Sequence, residues 1–272
     1  MHKMITRLTS FAAAAAVAFT VIGSAPAPAA AATDLTVGQA EQEVVRLLNL
    51  NRTKKGLVPL RVDTRLMAIA RARSKDMARK NYFSHVSPSG VDVFDMLNAS
   101  TVKWYAAGEI IAWNSWPTLA LSAQVANYGW MNSTGHRNII LSSSYNYFGV
   151  GLAVAASGKK YWTAVFIKGP DRTGAWVKAA SPKVTTGTTA SNRRVTFSWS
   201  GGDVRLPVLT AGFRSFQVQR RRNDGSWTTI WTSTSTKTYS TTVGLGNKLD
   251  LRIRGRDKAG NWGAWRLVKV AL

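Results

Sequence analysis

The sequence predicts an α+β protein organised as two domains, a helical domain that closes on a strand pair followed by an all-β sandwich. Three observations carry this. Helical apolar periodicity fills the chain before about residue 169, and short alternating strands fill it after about 183. Between them, Gly169-Pro170-Asp171, Arg172-Thr173-Gly174 and Ala179-Ala180-Ser181-Pro182 are turn-rich, so 169–182 is expected to be a linker. A length of 272 residues suits two domains.

Residues 1–32 have the order of an export signal. Lys3 and Arg7 precede an uncharged apolar run from Phe11 to Gly23, and Pro26 and Pro28 lead into Ala29 to Ala32, with cleavage expected before Thr33. The alternative, an uncleaved anchor, is disfavoured because the run is shorter than the roughly 20 residues that span a bilayer. No later stretch is apolar enough to cross a membrane, so the mature chain is expected to be secreted. It contains no cysteine, which excludes disulfides and thiolate chemistry and leaves core burial alone to hold it together.

Within the first domain, Glu41 to Asn51 carries apolar residues at 44, 45, 47, 48 and 50, a buried helix ended by Gly56. Asp63 or Thr64 caps a second helix whose inner face holds Leu66, Ile69, Ala70, Met77 and Ala78. Pro117 and Thr118 open a third helix towards Trp130. Tyr147 to Ala155 and Tyr161 to Lys168 read as strands joined through Ser157-Gly158-Lys159-Lys160. Helices packed on a terminal strand pair imply a layered helix–sheet sandwich.

Chemistry is confined by scarcity. Beyond residue 32 the only histidines are His85 and His136, and Glu109 is the only glutamate after residue 43. Two readings stand side by side: local hydrogen bonding and capping, or a cleft where two neutral imidazoles and a carboxylate hold a divalent ion such as zinc or position a water. The spacing does not choose between them, since the histidines lie 51 residues apart and no H-E-x-x-H is present.

Six ordered motifs carry a resemblance: Asn49-x-x-Arg52, Gly56-Leu57-x-Pro59-Leu60, Asp76-Met77, Phe83-Ser84-His85, Gly108-Glu109 and Trp130-Met131-x-Ser133-x-Gly135-His136-Arg137. Together they resemble the CAP (SCP-like) superfamily in its bacterial secreted branch, over about residues 36–168. The resemblance implies an α-β-α sandwich with a central cleft lined by His85, His136 and Glu109. A second family glutamate is replaced by Ser133, which weakens a cation site and any claim of catalysis. No G-x-S-x-G elbow supplies a nucleophile, and Ser133 reads as a structural hydroxyl at the end of the Trp130 helix.

The second domain, 183–272, shows alternation at Val195-Phe197-Trp199, Phe216-Val218 and Leu249-Leu251-Ile253, with a turn at Asn223-Asp224-Gly225. About seven short strands imply a β-sandwich. Trp199, the Leu249 to Arg254 strand and Asp257 to Trp262 resemble an immunoglobulin-like, fibronectin type III module, although Leu249 stands where an aromatic is common. The formal net charge of +23 is uneven: residues 33–170 hold 16 basic and 8 acidic residues, against 18 and 5 in 171–272. Arg220, Arg222, Arg252, Arg254 and Arg256 are expected to point outward as one basic stripe, either a solvated face or an attachment surface for an anionic polymer. Trp227, Trp231, Trp262 and Trp265 are expected to pack on strands rather than stack sugars.

The expected function is that of a secreted binding protein, taking a lipid, peptide or polysaccharide in the cleft and attaching to cell-envelope polymer through the basic module. Nucleic acid is not an expected physiological partner. Two rivals are a metal-assisted hydrolase using His85, Glu109 and His136, and an envelope adhesin whose first domain is an inert scaffold.

Overall fold

The computed structural model describes residues 34–272; the export signal expected in residues 1–32 lies outside them. The described chain forms two compact units, one running to Pro170 and including Leu206–Val208, the other Asp171–Arg205 with Leu209–Leu272.

The first unit begins with α1, Val37–Thr53. It starts earlier than apolar spacing alone suggests because Thr36 and Gln39 form a reciprocal capping box. Its inward stripe of Ala40, Val44, Val45 and Leu48 also carries Glu41 and Arg52. A short β1, Arg61–Val62, precedes α2, Thr64–Lys80, which Asp63 caps and which ends at Asn81 in the left-handed region. Then come α3, Val93–Ala99, β2, Ala106–Asn114, α4, Leu119–Asn132, and α5, Thr134–Ile140. The hairpin of β3, Tyr147–Val154, and β4, Lys160–Lys168, closes the unit, turning through Gly158 at φ +79°.

The sheet order is β1-β3-β4-β2, with β1 parallel to β3 and the other pairs antiparallel. Period-two alternation sends successive side chains to opposite faces. Trp162, Ala164 and Phe166 of β4 join a core with α1 and α4, while Val165 and Ile167 join a second core with α2 and α3. Helices thus cover both faces of one sheet. β2 escaped the sequence reading because its centre is buried on both sides and shows no alternation. At Gly149 and Gly151 of β3 an added Cβ would lie 2.2 and 2.1 Å from backbone nitrogens of α2, so α2 rests directly on bare backbone there.

The second unit contains β5, Trp176–Ala179, β6, Lys183–Thr186, β7, Asn192–Gly202, β8, Phe213–Arg222, β9, Thr228–Thr234, β10, Thr238–Gly244, β11, Lys248–Asp257, and β12, Arg266–Ala271. They form two antiparallel four-stranded sheets, β10-β7-β5 with β6 also on β7, and β12-β11-β8-β9. Val195, Phe197, Trp199 and Val243 from one sheet meet Phe216, Val218, Leu249, Leu251 and Ile253 from the other in one core. Asn223 and Asp224, both at positive φ, make the β8–β9 turn. The stretch expected to be a linker contains β5. Its partner is distant in sequence: Trp176 pairs with Gly202, whose missing Cβ leaves room for the indole ring.

Candidate functional site

Glu109 lies in the middle of β2 on the face turned to α2, opposite Val165 of β4. Its side chain is 3% exposed. The residue that meets it is Arg73 of α2, 2% exposed, whose Nε donates to Glu109 Oε1 at 3.0 Å. Arg73 spends its other nitrogens on the segment after α2: Nη1 donates to the Tyr82 hydroxyl at 3.0 Å, and Nη2 to the carbonyls of Ser84 and His85 at 2.9 and 2.8 Å. Tyr82 in turn donates to Asp76 Oδ2 at 2.7 Å. One buried guanidinium therefore fixes both the carboxylate and the backbone that carries His85.

His85 Nδ1 sits 2.7 Å from Glu109 Oε2. A carboxylate only accepts, so Nδ1 carries the proton, and among the described residues the other ring nitrogen has no hydrogen-bond partner. The His85 side chain is 47% exposed, so the imidazole lies partly at the surface. Both Glu109 oxygens are thereby engaged, one by Arg73 and one by His85.

His136 comes from α5, which follows α4 directly, and both helices touch β2. Trp130 of α4 is buried and donates through Nε1 to the Ile111 carbonyl of β2 at 3.0 Å. Gly108 of β2 has no Cβ where Ile139 of α5 and the Tyr145 hydroxyl approach. Burial pushes the His136 pKa below the ordinary imidazole value, and electrostatic interaction with His85 lowers it further. Both effects disfavour the charged form of the His136 imidazole. Ser133 is half-buried at the α4–α5 junction and makes no capping bond with its hydroxyl; Arg137 braces the junction, donating to the Met131 carbonyl at 2.9 Å.

Arg73 was not among the residues singled out from sequence. Its signal was there: position 73 continues the inward stripe of Leu66, Ile69, Ala70 and Met77, and a basic residue on such a stripe needs an internal partner.

Among the described residues, the group whose three ligand atoms gather within 4.8 Å is not His85, Glu109 and His136 but Asp171, Asp203 and Asp257 of the second unit. The oxygens of these aspartates accept from nearby groups: Asp171 from the Thr173 and Ala211 amides, Asp203 from those of Val204 and Gly212, Asp257 from Asn261. Burial holds the Asp203 carboxyl above its ordinary pKa, and the other two aspartates add to this.

The expected basic stripe is corrected by register. β8 and β11 are indeed neighbours, but Arg220 and Arg222 pair with the inward residues Leu251 and Leu249 and so share their face. Arg220 reaches the Tyr239 hydroxyl of β10 at 2.7 Å. Arg221, opposite Asp250, is the one that lies outward with Arg252, Arg254 and Arg256. These four interleave with three indoles in the order Arg221, Trp227, Arg252, Trp265, Arg254, Trp262, Arg256, each guanidinium carbon 4.2 to 5.0 Å from its ring centres. Trp231 instead packs against the core of this unit.

Comparison with known proteins identifies the first unit. Residues 45–166 match the family model described as CAP, the cysteine-rich secretory protein family. Over 133 residues the chain is 41% identical to the "Uncharacterized protein YkwD" of Bacillus subtilis (strain 168), covering 48% of each chain. Over 128 residues it is 38% identical to the "Uncharacterized membrane protein YlbC" of the same strain, covering 47% of this chain and 34% of that one. The chain thus spans about half the length of the first relative and a third of the second. Among solved structures, "an extracellular protein containing a SCP domain" from Bacillus anthracis str. Ames aligns at 32% identity and a TM-score of 0.41, over 48% of this chain and 41% of that one. Residues 45–166 are a CAP (SCP) domain with bacterial relatives.

Proposed function

We propose that this is a secreted CAP-domain protein that binds a ligand through His85 and His136, with the second unit, a fibronectin type III-like module, attaching it to anionic envelope polymer. The N-terminal sequence pattern supports export. The observation that carries the binding reading is the hydrogen-bonded Arg73–Glu109–His85 chain, which runs from a buried ion pair to an exposed ring. It sets the tautomer of a surface imidazole and leaves its other ring nitrogen without a hydrogen bond among the described residues, while burial disfavours the charged form of His136.

Binding is favoured over covalent catalysis because, among the described residues, no hydroxyl is hydrogen-bonded to either imidazole. If a divalent ion such as zinc is held here, the two imidazoles ligate it and waters complete the shell. Glu109 then acts behind His85, orienting the ring as carboxylates do behind metal-bound histidines. Its own oxygens are already committed, so it does not serve as a ligand.

Zinc titration of the full chain, read by calorimetry, tests this. Affinity is expected to be weak, to fall as pH drops through the histidine range, and to drop about tenfold in Glu109→Gln. Unchanged affinity in a His85→Ala/His136→Ala double variant would remove the site.

A further inference from the structure

We propose that the row Arg252, Arg254 and Arg256 on the outer face of β11 is a binding surface for a linear polymer of evenly spaced phosphodiesters, of the polyol-phosphate type. This rests on the attachment reading of the second unit and names the chemistry of its ligand.

Four observations support it. The first is unpaired charge. Arg221, at one end of the row, is neutralised by Asp250 at 2.8 Å, whereas no carboxylate among the described residues lies within 4.0 Å of the other three. The second is orientation. Arg252 and Arg254 each donate through Nε to the glutamine directly across the ladder, Gln219 and Gln217, at 2.7 Å, and Arg256 donates through Nε to the Gly260 carbonyl at 3.3 Å. These acceptors are neutral. The terminal nitrogens of Arg252 and Arg254 have no hydrogen-bond partner among the described residues, so each presents a free two-pronged donor edge with its charge intact.

The third is spacing. Alternate positions on one strand repeat at about 6.8 Å, and the indoles between them hold the guanidinium groups in file. Like charges at this distance repel, and burial together with Arg252 lowers the pKa of Arg254. An anion laid along the row relieves that repulsion.

The fourth bears against the other common mode of polymer recognition. Trp262 and Trp265 each have two guanidinium groups over the ring, and two cations on one ring repel least on opposite faces. Guanidinium groups on both faces would compete with a sugar or a nucleobase for the π surface of these indoles. Recognition falls to the arginine edges. A phosphodiester suits them, since it offers one permanent charge and two free oxygens per repeat to a planar fork.

The test uses the full chain and three fluorescent polymers: poly(glycerol phosphate), polygalacturonate and a single-stranded DNA oligonucleotide. Poly(glycerol phosphate) is expected to bind best at about 50 mM salt and to be released at about 1 M. Arg254→Gln is expected to weaken it about tenfold. Arg254→Lys keeps the charge but loses the fork, and is expected to cost about threefold. Arg194→Gln, an exposed arginine on β7 in the other sheet, should change nothing. Equal affinity for wild type and Arg254→Lys would overturn the row as a built site while leaving diffuse attachment in place. Tighter binding of polygalacturonate or DNA would overturn the phosphodiester-polymer assignment. Failure of all three polymers to bind at low salt would overturn both this proposal and the attachment reading. Should Arg254→Gln lose its fold by circular dichroism, the lysine variant still decides.

Discussion

Arg73 Nε lies 3.0 Å from Glu109 Oε1 with both side chains almost wholly buried, so one ion pair ties α2 to β2 and sets the candidate site at the same time. Taking two charges out of water is costly, and the pair is tolerable because Arg73 also satisfies Tyr82 and two carbonyls. Breaking one side strands the other. Arg73→Met is expected to destabilise the first unit by about 3–5 kcal/mol, and the double change Arg73→Met/Glu109→Leu by much less than the sum of the single changes. Urea unfolding of the four proteins checks this. Additive losses would show that the pair is not coupled.

Gly151 makes a second, purely steric prediction. A Cβ there would meet the Arg71 backbone nitrogen at 2.1 Å, and backbone cannot rotate away as a side chain can. Gly151→Ala should therefore push α2 off β3 and cost about 1–3 kcal/mol or more. Gly38→Ala, near the start of α1 with nothing within 4 Å of the added atom, is the matched control and should not lower the thermal midpoint.

The contrast between these positions shows what the sequence made legible. The Asp63 cap, the β3–β4 hairpin and the alternating β7, β8 and β11 followed from local pattern, because each depends on neighbours within a few residues. Among the candidate residues, Glu109 and His85 do meet, but the reason is Arg73, and a basic residue on an inward stripe reveals that it needs a partner without revealing which. The strand β5 and the true outward arginines were hidden for a related reason. Pairing of Trp176 with Gly202, and of Arg220 with Leu251, is a long-range register, and a one-residue shift exchanges the two faces of a strand.

His136 gives a pH prediction with a definite sign. Its folded pKa is below the ordinary value of about 6.5, so between the two values the unfolded chain binds more protons than the folded one. Stability from this group is complete above about pH 6.5 and is lost as pH falls through that window. His136→Gln should flatten the dependence, seen in unfolding curves at successive pH values. Since His85 is the second cause of the shift, His85→Ala should raise the His136 pKa part of the way back, with burial holding it below normal. Proton NMR titration of the ring measures this. An unmoved value would mean the two imidazoles do not sense each other.

The last prediction concerns the energy of the arginine–tryptophan row. Arg254 lies 4.4 Å from the Trp265 ring centre and 4.2 Å from that of Trp262, on the outer face of a sheet whose inner face already carries the core. Cation–π contacts at such half-exposed positions contribute about 0.5–1 kcal/mol each. A double-mutant cycle of Arg254→Gln and Trp265→Leu should therefore show a coupling of that size in the stability of the second unit, measured by chemical unfolding. Pairing Trp265→Leu with Arg194→Gln, on the other sheet, should show none. Raising the salt to about 1 M should leave the Arg254–Trp265 coupling largely in place, since ring and cation are in contact and ions have little room to intervene, while the attraction of the row for a polymer is screened. Coupling that vanished together with polymer binding at high salt would mean that the indoles stabilise the row only when an anion is bound to it.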